Sequence, residues 1–159
     1  MTISTLNGTT VFISSATVTD TTDTITEFAA LTWTEIGEVE NIGAFGDSSN
    51  EVTFANLKNG RVRKYKGMRN AGTTTLTVGA DPADAGQDAM DAAQEYDGAL
   101  DYAFKFVYND AITFAGTPTI KYARGKVMSA PVQNGGSDTV NRKQYNIGIN
   151  SKLYEKPAT

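Results

Sequence analysis

Three stretches of strict two-residue alternation most constrain what this chain can fold into. Thr73–Gly79 reads TTTLTVG, with Leu76 and Val78 on one face and Thr75 and Thr77 on the other. Residues 100–108 set Leu100, Tyr102, Phe104, Phe106 and Tyr108 against Asp101, Ala103, Lys105 and Val107. Near the end, Tyr145, Ile147 and Ile149 alternate with Asn146, Gly148 and Asn150. Successive side chains of a strand point to opposite faces, so each pattern predicts a strand that lays one face on a core. Two-faced polarity of this kind favours antiparallel pairing.

Weaker alternations predict further strands over residues 10–19, 31–39, 52–55 and 117–128, and the last of the three above is expected to begin at 139 and run to 150. Gly37 marks a bulge inside the strand over 31–39. Threonine is abundant, and 15 glycines outnumber 4 prolines. Threonine suits a pleated surface and glycine suits turns, so composition agrees with the pattern. At 159 residues the chain is long enough for one domain with a sizeable core. The expected fold is mostly β: an antiparallel β-sandwich or barrel of about seven strands flanked by one α-helix. The single domain, 1–159, carries a flexible N-terminal arm (1–9), a polar acidic connection (20–27), a long loop (41–50) and a loose C-terminal tail (152–159).

The helix is expected over residues 81–96, DPADAGQDAMDAAQEY. Asp81 can cap it, Pro82 suits its first position, and Asp84 lies where the helix dipole favours an anion. Ala85, Ala89, Ala92, Ala93 and Tyr96 form an apolar stripe. Asp84, Asp88, Asp91 and Glu95 form an acidic one, whose like charges repel by a few tenths of a kcal/mol per pair. That stripe is either a solvated face or the surface that meets positive charge from another chain.

Positive charge is concentrated elsewhere. Lys58, Arg61, Arg63, Lys64, Lys66 and Arg69 fall in one short stretch of a chain that holds 14 Lys and Arg and carries a net charge of −4. An internal charge split of this kind suits binding to further copies of the same chain at least as well as binding a foreign polyanion. Just before it, the loop NIGAFGDSSN places Phe45 between Gly43 and Gly46, followed by Asp47. Phe45 either folds back onto the core or plugs a neighbouring subunit.

Little here nominates catalysis. With no histidine and no cysteine, thiol nucleophiles, disulfides and the usual general base are absent. No Gly-Lys-Ser/Thr follows either glycine-rich segment, Asp81, Asp84 and Asp88 lack calcium-loop spacing, and no motif points to a carboxylate pair. No catalytic, cofactor-binding or metal-ligating residue is expected. No run approaches the ~20 apolar residues that span a bilayer, and the N-terminus has no charged and apolar leader, so no membrane insertion is expected.

The run Thr34-Glu35-Ile36-Gly37-Glu38-Val39-Glu40-Asn41-Ile42-Gly43-Ala44-Phe45-Gly46 resembles the major tail tube protein of long, non-contractile-tailed bacteriophages. So do Val52-Thr53-Phe54, the basic segment 60–69, Asn70-Ala71-Gly72-Thr73 and the helix start Asp81-Pro82-Ala83-Asp84-Ala85-Gly86-Gln87. The resemblance covers residues 33–96 well and the rest as compatible strands. It implies a β-sandwich or barrel flanked by a helix, six copies closed into a ring, and rings stacked as a hollow tube for delivering phage DNA into the host. It implies contacts between subunits and rings through the long loop and the terminal arms. Among the residues here, Gly43, Phe45, Gly46, Asp47, Arg61, Arg63, Lys64, Lys66 and Arg69 are the expected contacts, with the acidic stripe as a further one. The implied partners are further copies of itself and the tail tip, tape-measure and terminator proteins, with DNA passing through the lumen without specific binding. The implied location is the virion tail, assembled in the host bacterial cytoplasm. Some relatives carry an added immunoglobulin-like domain, for which this chain is too short. The alternatives are the tube protein of a contractile tail or secretion machine, and a single-stranded nucleic-acid binder built on a small β-barrel, with Tyr65 stacking among the basic residues.

Overall fold

A computed structural model describes residues 3–21 and 23–159. Positions 1 and 2 of the expected arm, and Thr22 in the expected connection, lie outside the described residues. The alternating segments form strands as their patterns dictate: β1 (Thr10–Ser14), β2 (Trp33–Ile36), β3 (Val39–Ile42), β4 (Ser48–Asn56), β5 (Arg61–Asn70), β6 (Thr73–Gly79), β7 (Tyr102–Val107), β8 (Ile120–Ser129), β9 (Val132–Gln133), β10 (Arg142–Ile149) and β11 (Tyr154–Lys156). Two helices accompany them, α1 (Ile25–Ala29) and α2 (Ala85–Glu95). The class is mostly β and antiparallel, as expected. The described residues hold more strands than expected and a second helix.

The main sheet runs in the order β2-β1-β7-β8-β10-β6-β3, with β9 added to β10 and β11 to β8. Every pairing is antiparallel. Its two edge strands, β2 and β3, are joined in sequence by only Gly37 and Glu38. Three Cα steps reach at most about 11 Å, so the sheet must roll until its edges nearly meet. What reads in the sequence as one strand over residues 31–39 is therefore the seam of a rolled sheet. Gly37 is a crossing point rather than a bulge, and Glu38 next to it adopts a positive φ of 54°.

Helix α2 lies against this seam. Asp84, not Asp81, caps it, with Oδ1 accepting from the backbone N–H of Gly86 at 2.7 Å and of Gln87 at 3.1 Å. Asp81 instead serves the preceding turn, accepting from the Ala83 N–H. Pro82 therefore precedes the helix. The buried Gln87 side chain donates to the carbonyls of Gly37 and Gly79, bridging the two sides of the seam. Gly86 allows this approach, because a Cβ there would overlap the carbonyl of Glu35 in β2. The buried face of α2 is accordingly Gly86, Gln87, Met90 and Ala93, while Ala85 and Ala92 of the expected stripe are exposed.

Inside the roll, Val11, Ile13, Ile36, Leu76, Val78, Phe104, Phe106, Ala123, Val127, Tyr145, Ile147 and Ile149 form one core with Met90 and Ala93. A second, smaller cluster of Val18, Phe28, Ala103 and Tyr122 sits on the outer face, with Trp33 and Tyr154 packed against it. Helix α1 supplies Phe28, whose ring stacks on Tyr122 at 5.4 Å. This helix lies partly in the segment expected as a plain connection, and Thr24 caps it by accepting from the Glu27 N–H. The segment 152–159, expected to be loose, contains β11, and the Thr159 N–H donates to the Thr117 carbonyl at 2.9 Å. Beneath this cluster Asp101 is buried and accepts from Arg124 Nη1 at 2.6 Å and Asn150 Nδ2 at 3.0 Å.

Candidate assembly interface

Strands β4 and β5 stand apart from the rolled sheet. They pair only with each other, as a separate two-stranded sheet. The basic segment, read from the sequence as a stretch between strands, is itself strand β5. Ten residues at about 3.3 Å each make it roughly 33 Å long. Asn56 and Gly67 are half-buried, and every other residue of the two strands is exposed.

The roots of the hairpin are fixed to the body. On one side Gly43 is held to β6: its N–H donates to the Thr75 carbonyl at 2.7 Å, and its carbonyl accepts from Thr74 Oγ1 at 3.0 Å. Two residues on, the half-buried Phe45 stacks on Phe106 with centroids 4.7 Å apart. In the single chain, then, Phe45 folds back onto the body, where it shares a groove of about 360 Å³ with Leu6, Ile42, Tyr108 and Lys121. On the other side Ala71 is buried, and the Ile149 N–H donates to the Gly72 carbonyl at 3.0 Å. Gly46 and Asp47 are exposed between these anchors and the hairpin. Asp47 and Arg69 line one cavity of about 410 Å³ at the hairpin base, with Asn150 and Lys152.

The hairpin carries Lys58, Arg61, Arg63, Lys64, Lys66 and Arg69 against one acid, Glu51, while the rest of the chain holds eight basic and seventeen acidic residues. Among the described residues the hairpin has one ion pair, Lys64 Nζ to Glu51 Oε2 at 3.1 Å. It is solvent-exposed at both ends and contributes about 0–1 kcal/mol. Large apolar side chains are also uncovered: Phe54 is 57% exposed, Tyr65 52%, Met68 82%, and Leu57 at the tip 99%. A two-stranded ribbon with this much open apolar surface is marginal by itself, which makes it the candidate interaction site.

The acidic stripe of α2 does not act as one surface. Asp84 is spent on the cap, and Asp91 accepts from Lys143 Nζ at 2.6 Å and Tyr145 Oη at 3.0 Å. Burial, reinforced by the Asp91 carboxylate, pushes the Tyr145 phenol far above its usual range. Asp88 and Glu95 remain exposed, with no ion pair among the described residues. The stripe thus divides into two carboxylates that hold the monomer and two that face outward.

Sequence reasoning missed the apolar component of this site. Its signal was present: Val62 and Tyr65 lie among the basic residues, and Val52 and Phe54 precede them at strand spacing. Among the described residues no group of three or more metal-binding side chains occurs, and no helix is long and apolar enough to cross a membrane.

Solved structures share this architecture. A chain in the structure of the PVC sheath/tube terminator of an extracellular contractile injection system matches with a TM-score of 0.70 and 10% identity, covering 98% of each chain. The SPP1 tail tube matches with a TM-score of 0.63 and 13% identity, over 94% of this chain and 76% of that one. The tail of an empty GTA particle, refined with C6 symmetry, matches with a TM-score of 0.56 and 13% identity, over 92% and 95%. At such identities the likeness shows the fold. A search of curated proteins gives no match. The sequence itself matches the family described as phage tail tube protein, TTP, over residues 2–130. That is most of the chain, and the protein therefore belongs to the phage tail tube protein family.

Proposed function

We propose that this protein is the subunit of a phage tail tube. Six copies close into a ring, rings stack into a hollow tube in the virion tail, and phage DNA passes through the bore into the host. The observation that carries this reading is the β4–β5 hairpin, an apolar and cationic ribbon that no other described residue of its own chain covers along its length, on an anionic body. A contact between unlike surfaces of identical chains generates rings or open filaments. The C6 symmetry of the structurally similar GTA tail supports the ring size. The residues around the hairpin roots, Gly43 to Asp47, supply contacts beside it, and exposed carboxylates such as Asp88 and Glu95 supply the opposing charge.

With the hairpin held at the contacts between subunits and away from the bore, the bore wall is left to the acidic body, which repels phosphates rather than binding them. The role is structural, with no chemistry assigned to any side chain. Tail tip, tape-measure and terminator proteins are the expected further partners. The likeness to the PVC sheath/tube terminator favours, as a second reading, a tube that works inside a contractile sheath.

The test is electron microscopy of the purified chain with sedimentation in double-stranded DNA. Hollow tubes of stacked six-fold rings that leave DNA in the supernatant are expected. Monodisperse monomers at every concentration would overturn the reading, and tight, salt-sensitive DNA binding by the tubes would overturn the account of the bore.

A further inference from the structure

The two faces of the hairpin differ in chemistry, and the difference follows from the register. Directly paired residues of an antiparallel ribbon share a face. Val52 pairs with Tyr65, Phe54 with Arg63, and Asn56 with Arg61, so these six side chains lie on one side. Glu51 pairs with Lys66, Thr53 with Lys64, and Ala55 with Val62, and these lie on the other. The cationic segment is thereby sorted: Arg61 and Arg63 stand beside Val52, Phe54 and Tyr65, while Lys64 and Lys66 stand beside Glu51 and Thr53.

Such sorting separates an interface from a solvated surface. Fully buried interface centres are enriched in Tyr, Phe and Arg and depleted of Lys and Glu. The guanidinium is weakly hydrated and holds carboxylates with a rigid fork, whereas the ammonium is strongly hydrated. The lysine face already answers part of its charge through the Lys64–Glu51 pair. The two arginines have no ion pair among the described residues.

Resting on the assembly reading above, we infer that the arginine–aromatic face (Arg61, Arg63, Val52, Phe54 and Tyr65) is the face that docks on a second copy of this chain, and that the lysine face stays in solvent. The occupant is a second copy because the charge matches: outside the hairpin each copy holds seventeen acidic residues against eight basic. On the outer ridge of α2, Asp88 and Glu95 are exposed alongside the small side chains of Ala85 and Ala92. Seven residues of helix rise about 10.5 Å between those two carboxylates. Arg61 and Arg63 are about 6.6 Å apart along their strand and reach that spacing with extended side chains.

Two charge-matched double variants of the full chain test this. Arg61→Glu/Arg63→Glu alters one face and Lys64→Glu/Lys66→Glu the other, each changing net charge equally. Phe54→Ala/Tyr65→Ala adds a variant with no charge change, and thermal unfolding of each monomer verifies folding. The concentration at which tubes form is read by sedimentation. The arginine and aromatic variants are expected to raise it about tenfold or more, as loss of an interface hot spot does, and the lysine variant about twofold at most. Wild-type chain that forms no tubes overturns the assembly reading and this inference with it. Wild-type tubes with equal or reversed effects at the two faces overturn only the face assignment. Retention of the wild-type monomer on single-stranded DNA, lost in Arg61→Glu/Arg63→Glu, would show that the same face reads nucleic acid and overturn the choice of a second copy.

Discussion

The rolled sheet and the β4–β5 hairpin obey the same local rule and meet opposite fates. In β6 and β10, apolar residues at every second position disappear into a shared core: Leu76, Val78, Tyr145 and Ile147 are all buried. In β4, Val52 and Phe54 alternate in the same way with Thr53 and Ala55, yet both stay more than half exposed. Both regions pair antiparallel, β6 with β10 in an unbroken register and β4 with β5 with a single register shift between Ser49 and Glu51. Only the second layer is missing from the hairpin. Alternation therefore specifies a strand and which residues want cover, and it leaves open whether the cover comes from the same chain. Where it does not, the assembly proposed above supplies the cover from another copy.

The largest effect expected from breaking this contrast comes from removing the hairpin. Replacing residues 48–70 with a short Gly-Ser turn should leave a folded monomer, since the hairpin pairs with none of the rolled sheet, and should abolish tubes. Circular dichroism and sedimentation give the two readouts. Loss of the fold would show that the ribbon stabilises the body.

A pair of truncations compares the regions directly. Phe104 is buried in the core of the roll. Phe104→Ala should lower the unfolding free energy by about 3–5 kcal/mol. Phe54→Ala, on the open ribbon, should change monomer stability by less than about 0.5 kcal/mol while weakening assembly. Urea unfolding of both variants measures the difference.

The smallest effect sharpens the picture of the body edge, where Arg142 in β10 holds both carboxylate oxygens of Glu40 in β3, donating from Nε and Nη2. The side-chain hydrogen bond from Arg142 keeps the Glu40 carboxyl below its usual range. A carboxyl depressed in the folded state adds stability above its unfolded value, near 4.5, and loses it as pH falls through the lower folded value. Stability should therefore fall on acidification below about pH 4.5, and Glu40→Gln should make that limb shallower. Thermal melts from pH 3 to 7 would show it, and an unchanged acid limb would assign the loss to other carboxylates.

Much of this architecture is legible in the sequence where pattern and burial coincide. TTTLTVG gives β6 with its true bounds, and the alternation over residues 100–108 contains β7. Elsewhere tertiary contacts decide. The split at Gly37 depends on Asp84, whose carboxylate occupies the space a Cβ would need, and nothing near Gly37 announces it. The five-residue α1 is too short for a periodic signal, although Thr24 followed by Glu27 is a capping pattern. The acidic stripe is visible on a helical wheel, but its division depends on Lys143 and Tyr145, more than fifty residues away. Of the hairpin, β4 is legible in part as the strand over residues 52–55, whereas β5 is legible as charge and hidden as a strand. Its polar positions are so often basic that the segment reads as a charge run, and its faces emerge only once the register with β4 is known.

The order of strands in the sheet also has a consequence in time. Strand β1 pairs with β7, some ninety residues further along, and β6 pairs with β10, so the roll cannot close until the last third of the chain has been synthesised. The β4–β5 ribbon needs only its own short turn. Local hairpins form in about 1–10 μs, whereas folds dominated by distant pairings take milliseconds to seconds. Such a ribbon can pair early in a growing chain but is marginal by itself, and on the assembly proposed here it has nothing to dock on until another body is finished. On that proposal polymerisation becomes possible only when a completed neighbour exists, and the slow step of folding is the timer for the start of assembly.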